Sequence, residues 1–293
     1  ALISGLQKIS QPGTYDEFEL AWLKGQLYLT IDPPQAASAI EPLETALRVS
    51  DQHHFFEDKD ERKALKLLSQ IYYGEGSAKG VAPAKQEEAF IKASDYLRQL
   101  VENERANHVI NTEDVLFYAY LLLQRAQEHA DKPDLALLKQ AQKLSEEGLL
   151  LGVTPKFEFY RLLLSTLLAQ NDYPAAADLL ELLIKKDPTN KDNKDNWTQL
   201  CSIYLNLGTD TKDKQKSFDN NIRAIVTYER AQAAGFLKTP KDNFQLVSTY
   251  YNIGQVEQAA RLLETDLKSG SIESDEKYWT YLAQWYQQVH LEL

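Results

Sequence analysis

The stretch NWTQLCSIYLNLG, Asn196 to Gly208, comes back twice further along the chain. Leu200, Tyr204, Asn206 and Gly208 align with Leu246, Tyr250, Asn252 and Gly254 at a constant offset (246 − 200 = 46), and Leu246 and Tyr250 align with Leu282 and Tyr286 at a second one (282 − 246 = 36). A fixed period of this size is the mark of a chain built from stacked copies of one supersecondary unit, none of which can bury its apolar face alone.

Each copy opens with apolar residues three or four apart, Trp197, Leu200, Tyr204 and Leu207, which fall on one face of a helix. Gly208 and Gly254 then read as helix ends, where a left-handed cap suits glycine. A second helix follows with small residues in its stripe. YPAAADLLELLIKKDP (Tyr173 to Pro188) and QVEQAARLLETDLKSG (Gln255 to Gly270) are examples, closed by Pro188 and Gly270. The same periodicity predicts helices over 16–30, 34–48, 59–73, 85–103, 113–130, 134–150, 156–170, 174–186, 195–207, 218–234, 241–253, 255–269 and 275–289, and strand-like alternation appears nowhere. Pro42 falls inside the second of these and is expected to kink it. Three polar stretches read as long connections: DQHHFFEDKDE (51–61), GEGSAKGVAPAK (74–85) and TDTKDKQKSFDN (209–220), the last looping out and accounting for the 46-residue spacing.

These units resemble the tetratricopeptide repeat, whose first helix carries Trp-x2-Leu-Gly-x2-Tyr and whose second carries spaced alanines and a closing proline. One unit matches through Tyr160, Leu163, Leu167, Ala176, Leu180 and Pro188, and the next through Trp197, Leu200, Cys201, Tyr204, Ala224, Tyr228 and Ala231. Another begins at Gly25–Tyr28 and continues with Ala39, Leu43 and Ala46. Cys201 stands where the family has a small residue and reads as a small buried hydrophobe. The resemblance implies an all-α, right-handed superhelical solenoid of antiparallel helix pairs, about six pairs plus a C-terminal capping helix, with residues 1–293 forming one domain.

Composition narrows the function. A formal net charge of -11 gives no general attraction for phosphate backbones or anionic lipid, so nucleic acid and membrane surfaces are poor partners. No apolar run reaches the roughly 18 residues of a membrane span. A single cysteine excludes a disulfide framework and cysteine-based metal clusters. The chain opens at Ala1 without an initiating Met or a signal-like run, as a trimmed or mature chain would.

Candidates for chemistry are few. GEGSAKG (Gly74 to Gly80) lacks the Gly-Lys-Ser/Thr ending of a phosphate-binding loop and follows no strand. His53, His54, Glu57 and Asp58 cluster in sequence, but adjacent histidines do not share a helix face, so a surface loop is expected there. His108, His129 and His290 stand apart from other ligand types. No catalytic residue, cofactor site or metal site is expected.

The resemblance places a concave groove along the first helices. It assigns partner contacts to Arg161 and Ser165, to Thr198, Ser202 and Asn206, to Phe244, Ser248 and Asn252, and to Thr280, Gln284 and Gln288. Asn206, Asn252 and Gln288 would form an amide ladder able to pair with both donors and acceptors of an extended peptide. The competing reading is that these are ordinary solvated positions. The two-Lys/Arg, two-Asn carboxylate clamp of some family members is not matched, since only Arg161 stands near the required places.

YDEFELAWLKGQLYL (Tyr15 to Leu29), Phe159 to Pro188 and Tyr228 to Ile272 are further similar to bacterial tetratricopeptide proteins associated with TonB-ExbB-ExbD systems. That likeness implies a periplasmic, non-enzymatic scaffold with TonB-ExbB-ExbD components as partners; a cytoplasmic location is the alternative. Two other readings stay open: a structural subunit assembled through its outer helix faces, and an enzyme or small-molecule receptor with an enclosed polar pocket.

Overall fold

A computed structural model describes residues 11–128, 132–152, 156–186 and 193–291. Among them are thirteen helices and no strand. The first compact unit ends at Gln170 and contains α1 (Tyr15–Thr30), α2 (Ala36–His53), α3 (Asp58–Gly76), α4 (Pro83–Ala106), α5 (Thr112–Ala126), α6 (Leu135–Leu150) and α7 (Phe157–Ala169). The second begins at Asn171 and contains α8 (Tyr173–Lys186), α9 (Asn193–Asp210), α10 (Lys214–Ala233), α11 (Pro240–Asn252), α12 (Val256–Ser269) and α13 (Glu276–Leu291). Within each unit consecutive helices pack as antiparallel neighbours, and α7 also packs on α5.

The helix starts are written locally. Thr14, Asn111, Asp134 and Asp213 each accept hydrogen bonds from backbone N–H groups in the first turn of the helix that follows, and Thr239 and Asp242 form a reciprocal capping box at α11. At the other ends Gly254 (φ +81°) and Gly270 (φ +76°) take the left-handed conformation expected of them. Burial of the predicted stripes completes each pair. Leu43, Leu65, Leu68, Leu97, Leu122 and Phe159 sit in the core of the first unit, and Leu180, Leu200, Ala224, Val247 and Leu263 in that of the second. Each leucine or phenylalanine withdrawn from water this way contributes about 1.5–3 kcal/mol.

Three sequence expectations need correction. Gly208 is not a cap: α9 runs on to Asp210, and Gly208 is a buried helical residue. A Cβ there would stand 2.8 Å from Nδ2 of Asn221 on α10, so any larger residue has to displace that side chain. The stretch 209–220 does not loop out. All but residues 211–213 is helical, because the polar first turns of α10 bond back onto the end of α9. Ser217 Oγ donates to the Gly208 carbonyl at 2.5 Å and Asn220 Nδ2 to the Leu207 carbonyl at 3.3 Å. The 46-residue spacing therefore comes from longer helices. The connections at 51–61 and 74–85 shrink to residues 54–57 and 77–82, since α2 extends to His53, α3 to Gly76, and Pro83 starts α4. The first is also no plain surface loop. Phe56 packs edge-on against Phe18 (4.7 Å) and Trp22 (5.0 Å), and Phe55 against Tyr15 (5.4 Å), so two aromatics fasten the turn to the core. Pro42 lies inside α2, which spans Ala36–His53.

Cys201 is fully buried, as its small-hydrophobe reading requires. Burial, above all, pushes its thiol up to about 12. His129, Pro188 and the side chain of His290 lie outside the described residues.

Candidate functional site: an apolar groove on α5 and α7

The residues proposed from the sequence divide between the units: Arg161 and Ser165 lie in the first, and the other nine in the second. Arg161 and Ser165 are exposed one turn apart on α7, and the structure brings them to a groove of about 500 Å³. Its other wall comes from α5, through Leu116, Phe117, Tyr120 and Leu123, with Glu113 and Glu158 at the rim. Lys156 and Glu113 form an ion pair across the two helices. The Arg161 guanidinium lies over the Phe157 ring at 5.0 Å.

The floor continues toward α3. Phe117 meets Tyr73 edge-on at 5.1 Å, and Tyr73 stacks on Phe90 of α4 at 5.7 Å. Tyr120 keeps 48% of its surface in water although its hydroxyl is pushed up, mainly by burial and then by Tyr73. A half-wet aromatic ring on an otherwise packed helix offers a ready anchor point. These α5 residues were missed by the sequence reading because repeat motifs mark only the core stripe. The signal was there in VLFYAYLLL (Val115 to Leu123), which is apolar on more faces than one core contact can cover.

In the second unit Thr198, Ser202 and Asn206 are exposed at four-residue spacing along one face of α9. The hydroxyls of Thr198 and Ser202 donate to carbonyls of their own helix (2.8 and 2.9 Å), and that of Thr280 does the same on α13. Ser248 is half-buried, while Asn252, Gln284 and Gln288 are exposed. Phe244 is half-buried and occupied by its neighbours, with ring centroids 4.6 Å from Tyr278 and 6.4 Å from Tyr281. The row extends through Trp285, which lies 6.0 Å from Tyr281 and 4.7 Å from Tyr251. These aromatics fasten α13 to α11.

Two other concave regions are charged, each crossed by a bidentate ion pair. One, of about 780 Å³ on α4 and α6, holds the fork of Arg105 on Glu147, with Nε to Oε1 at 2.9 Å. The other, on α8 and α10, holds Arg230 on Glu181 (2.8 and 2.9 Å), with the guanidinium over Trp197 at 4.9 Å. Such bidentate pairs link alternate helices of the stack. Among the described residues no group of three or more His, Cys, Asp or Glu side chains could hold a metal ion. No described helix is long and apolar enough to cross a membrane.

Residues 212–291, which span α10 to α13, match a family model described as Tetratrico peptide repeat. No curated protein matches the chain. Among solved structures it is similar to the hypoxic regulator of sterol synthesis and nuclear import adaptor Nro1, at 13% identity and a TM-score of 0.47, covering 96% of this chain and 99% of that one. It is also similar to a tetratricopeptide repeat protein from Parabacteroides merdae (12%, TM-score 0.32, 92% and 98% covered). A third is the pentatricopeptide repeat protein PPR10 from maize (12%, TM-score 0.34, 96% and 45% covered). The described residues are thus helical throughout their regular elements, and residues 212–291 carry the tetratricopeptide pattern.

Proposed function

We propose that the protein is a non-enzymatic scaffold that captures a protein segment in the α5–α7 groove. The observation that supports this reading is the groove itself: an apolar floor of Leu116, Phe117, Tyr120 and Leu123 with Ser165 and Arg161 on its wall. Such a floor takes a bulky apolar side chain, and a chain of net charge -11 favours basic or neutral flanks on the segment that carries it. The amide ladder of Asn206, Asn252 and Gln288 is a second proposed contact line, in the other unit.

The finer assignment, a periplasmic accessory of a TonB-type system, rests on sequence resemblance alone. The reading of residues 1–293 as one domain is likewise a proposal, tested by whether denaturation of the whole chain proceeds in one transition or two. A pull-down from envelope and soluble fractions tests the scaffold reading with three baits: wild type, Ser165→Arg and Asn206→Ala/Asn252→Ala. Ser165 is exposed, so arginine fills the groove without entering the core. Loss of a retained protein with Ser165→Arg places the contact in the groove, and loss with the double variant places it on the ladder. Retention by all three baits rejects both. ExbB, ExbD or TonB-like proteins among the wild-type catch support the envelope role, and an exclusively cytosolic set sinks it.

A further inference from the structure

The helix that forms the groove floor stands on two buried carboxyl groups. Glu104, near the end of α4, and Asp114, in the first turn of α5, are each only 4% exposed. Both occupy core positions. Glu104 continues the stripe Leu97, Leu100, Val101, and Asp114 begins the stripe Val115, Tyr118, Leu122. Their partners are few. Glu104 Oε2 accepts the backbone N–H of Asn111 at 3.1 Å, and Asn111 is the residue that caps α5. Asp114 receives Lys66 Nζ from α3 at 2.7 Å. Asn111 ties the two together, since its N–H goes to Glu104 and its carbonyl accepts the Asp114 backbone N–H at 3.1 Å, and the Asp114 carboxyl raises the proton affinity of Glu104.

The surrounding charges do not supply a second cation. From α3, Arg62 donates to Asn103 Oδ1 at 3.0 Å and Glu61 accepts from Asn103 Nδ2 at 3.3 Å, so both are engaged one residue away. On α4 itself Arg105 turns to Glu147 of α6. Two carboxylates with one ammonium would leave a net buried negative charge. A shared proton makes the trio neutral, and buried like charges are relieved in this way.

We propose that a proton held between Glu104 and Asp114 seats the N-terminus of α5, so that the groove floor is firm while the proton is present and loosens when it passes to water. Burial chiefly raises the Glu104 carboxyl and Asp114 adds to this, while the Asn111 N–H and Lys66 oppose it; the carboxyl is pushed up to about 7. The folded value lies above the unfolded one, so the stabilisation is complete at pH below the ordinary glutamate range and is lost as pH rises through 7. The seat exists whether or not the groove binds a partner; its use as regulation rests on the groove reading.

The test is amide hydrogen exchange of the full chain over Asn111 to Leu123 between pH 5.5 and 8.5, corrected for intrinsic exchange. Protection in wild type should fall about tenfold or more across this interval. Glu104→Gln keeps an acceptor for Asn111 and a donor for Asp114, and its profile should be flat. An equal fall in Glu104→Gln, or none in wild type, overturns the proposal. Carboxyl carbon NMR of the wild type guards against a variant that fails to fold: a Glu104 midpoint in the ordinary carboxylate range also overturns it. A groove that proves to bind nothing leaves these results unchanged, so the two readings fail separately.

Discussion

Replacing Gly208 by alanine separates the two roles a glycine can have at that position. Alanine in a helix interior is favoured over glycine by about 1 kcal/mol. Here the added methyl would stand 2.8 Å from Nδ2 and 3.0 Å from Cγ and Oδ1 of Asn221, closer than such contacts normally come. Asn221 is held in place, since its Nδ2 donates to the Ser217 carbonyl at 2.9 Å. Pushing it aside costs about 1–2 kcal/mol, at the lower end for overpacking. Gly208→Ala alone should therefore be neutral or destabilising by up to about 1 kcal/mol. In an Asn221→Ala background the obstruction is gone, and the same change should stabilise by about 1 kcal/mol, or a few degrees in Tm. The coupling between the two sites is then about 1–2 kcal/mol, measurable by urea denaturation of the four proteins of the cycle. A left-handed cap predicts something else: a loss of about 1 kcal/mol or more whatever stands at 221. Equal destabilisation in both backgrounds would refute the close-approach account.

Other consequences follow from burial. Phe159→Ala should cost about 3–5 kcal/mol in denaturant, because the ring is fully buried beside Gly148, where any Cβ would overlap it. Cys201 should resist thiol reagents in the native protein at pH 8 and react stoichiometrically in urea, since burial holds its thiol up at about 12; rapid native modification would contradict its place in the core. Arg230→Ala should cost only about 1 kcal/mol, because its pair with Glu181 is half-exposed and the stacking on Trp197 adds little more.

The helices were legible because each carries its own period and, in several cases, its own cap. Thr239-Pro-Lys-Asp242 marks its helix start in the sequence. What escaped depends on neighbours. Gly208 and Gly254 occupy equivalent places in the repeat, yet only Gly254 has positive φ. At Gly208 the helix runs on to Asp210, where Ser217 and Asn220 of α10 bond its last carbonyls, and no local pattern ties those residues to Gly208. The polar run before Asn221 looked like a loop because its helix is held by hydrogen bonds to the end of α9, not by an apolar stripe. In the site, family position found Arg161 and Ser165 on α7. It could not find Leu116, Phe117, Tyr120 and Leu123, which become a groove only when α7 packs beside α5. Glu104 and Asp114 were readable as charged residues on apolar stripes, but their shared dependence on Lys66 needs three helices in place.

The central claim is that the α5–α7 groove is where a partner sits. The direct measurement is the Kd of a retained partner for wild type, Ser165→Ala and Ser165→Arg by isothermal titration, with helical content checked in each. The groove account predicts that Ser165→Ala stays within about twofold of wild type and that Ser165→Arg weakens binding about tenfold or more, roughly 1.4 kcal/mol. Wild-type affinity in a folded Ser165→Arg protein would contradict it, and the contact would then have to be sought on other faces of the helices.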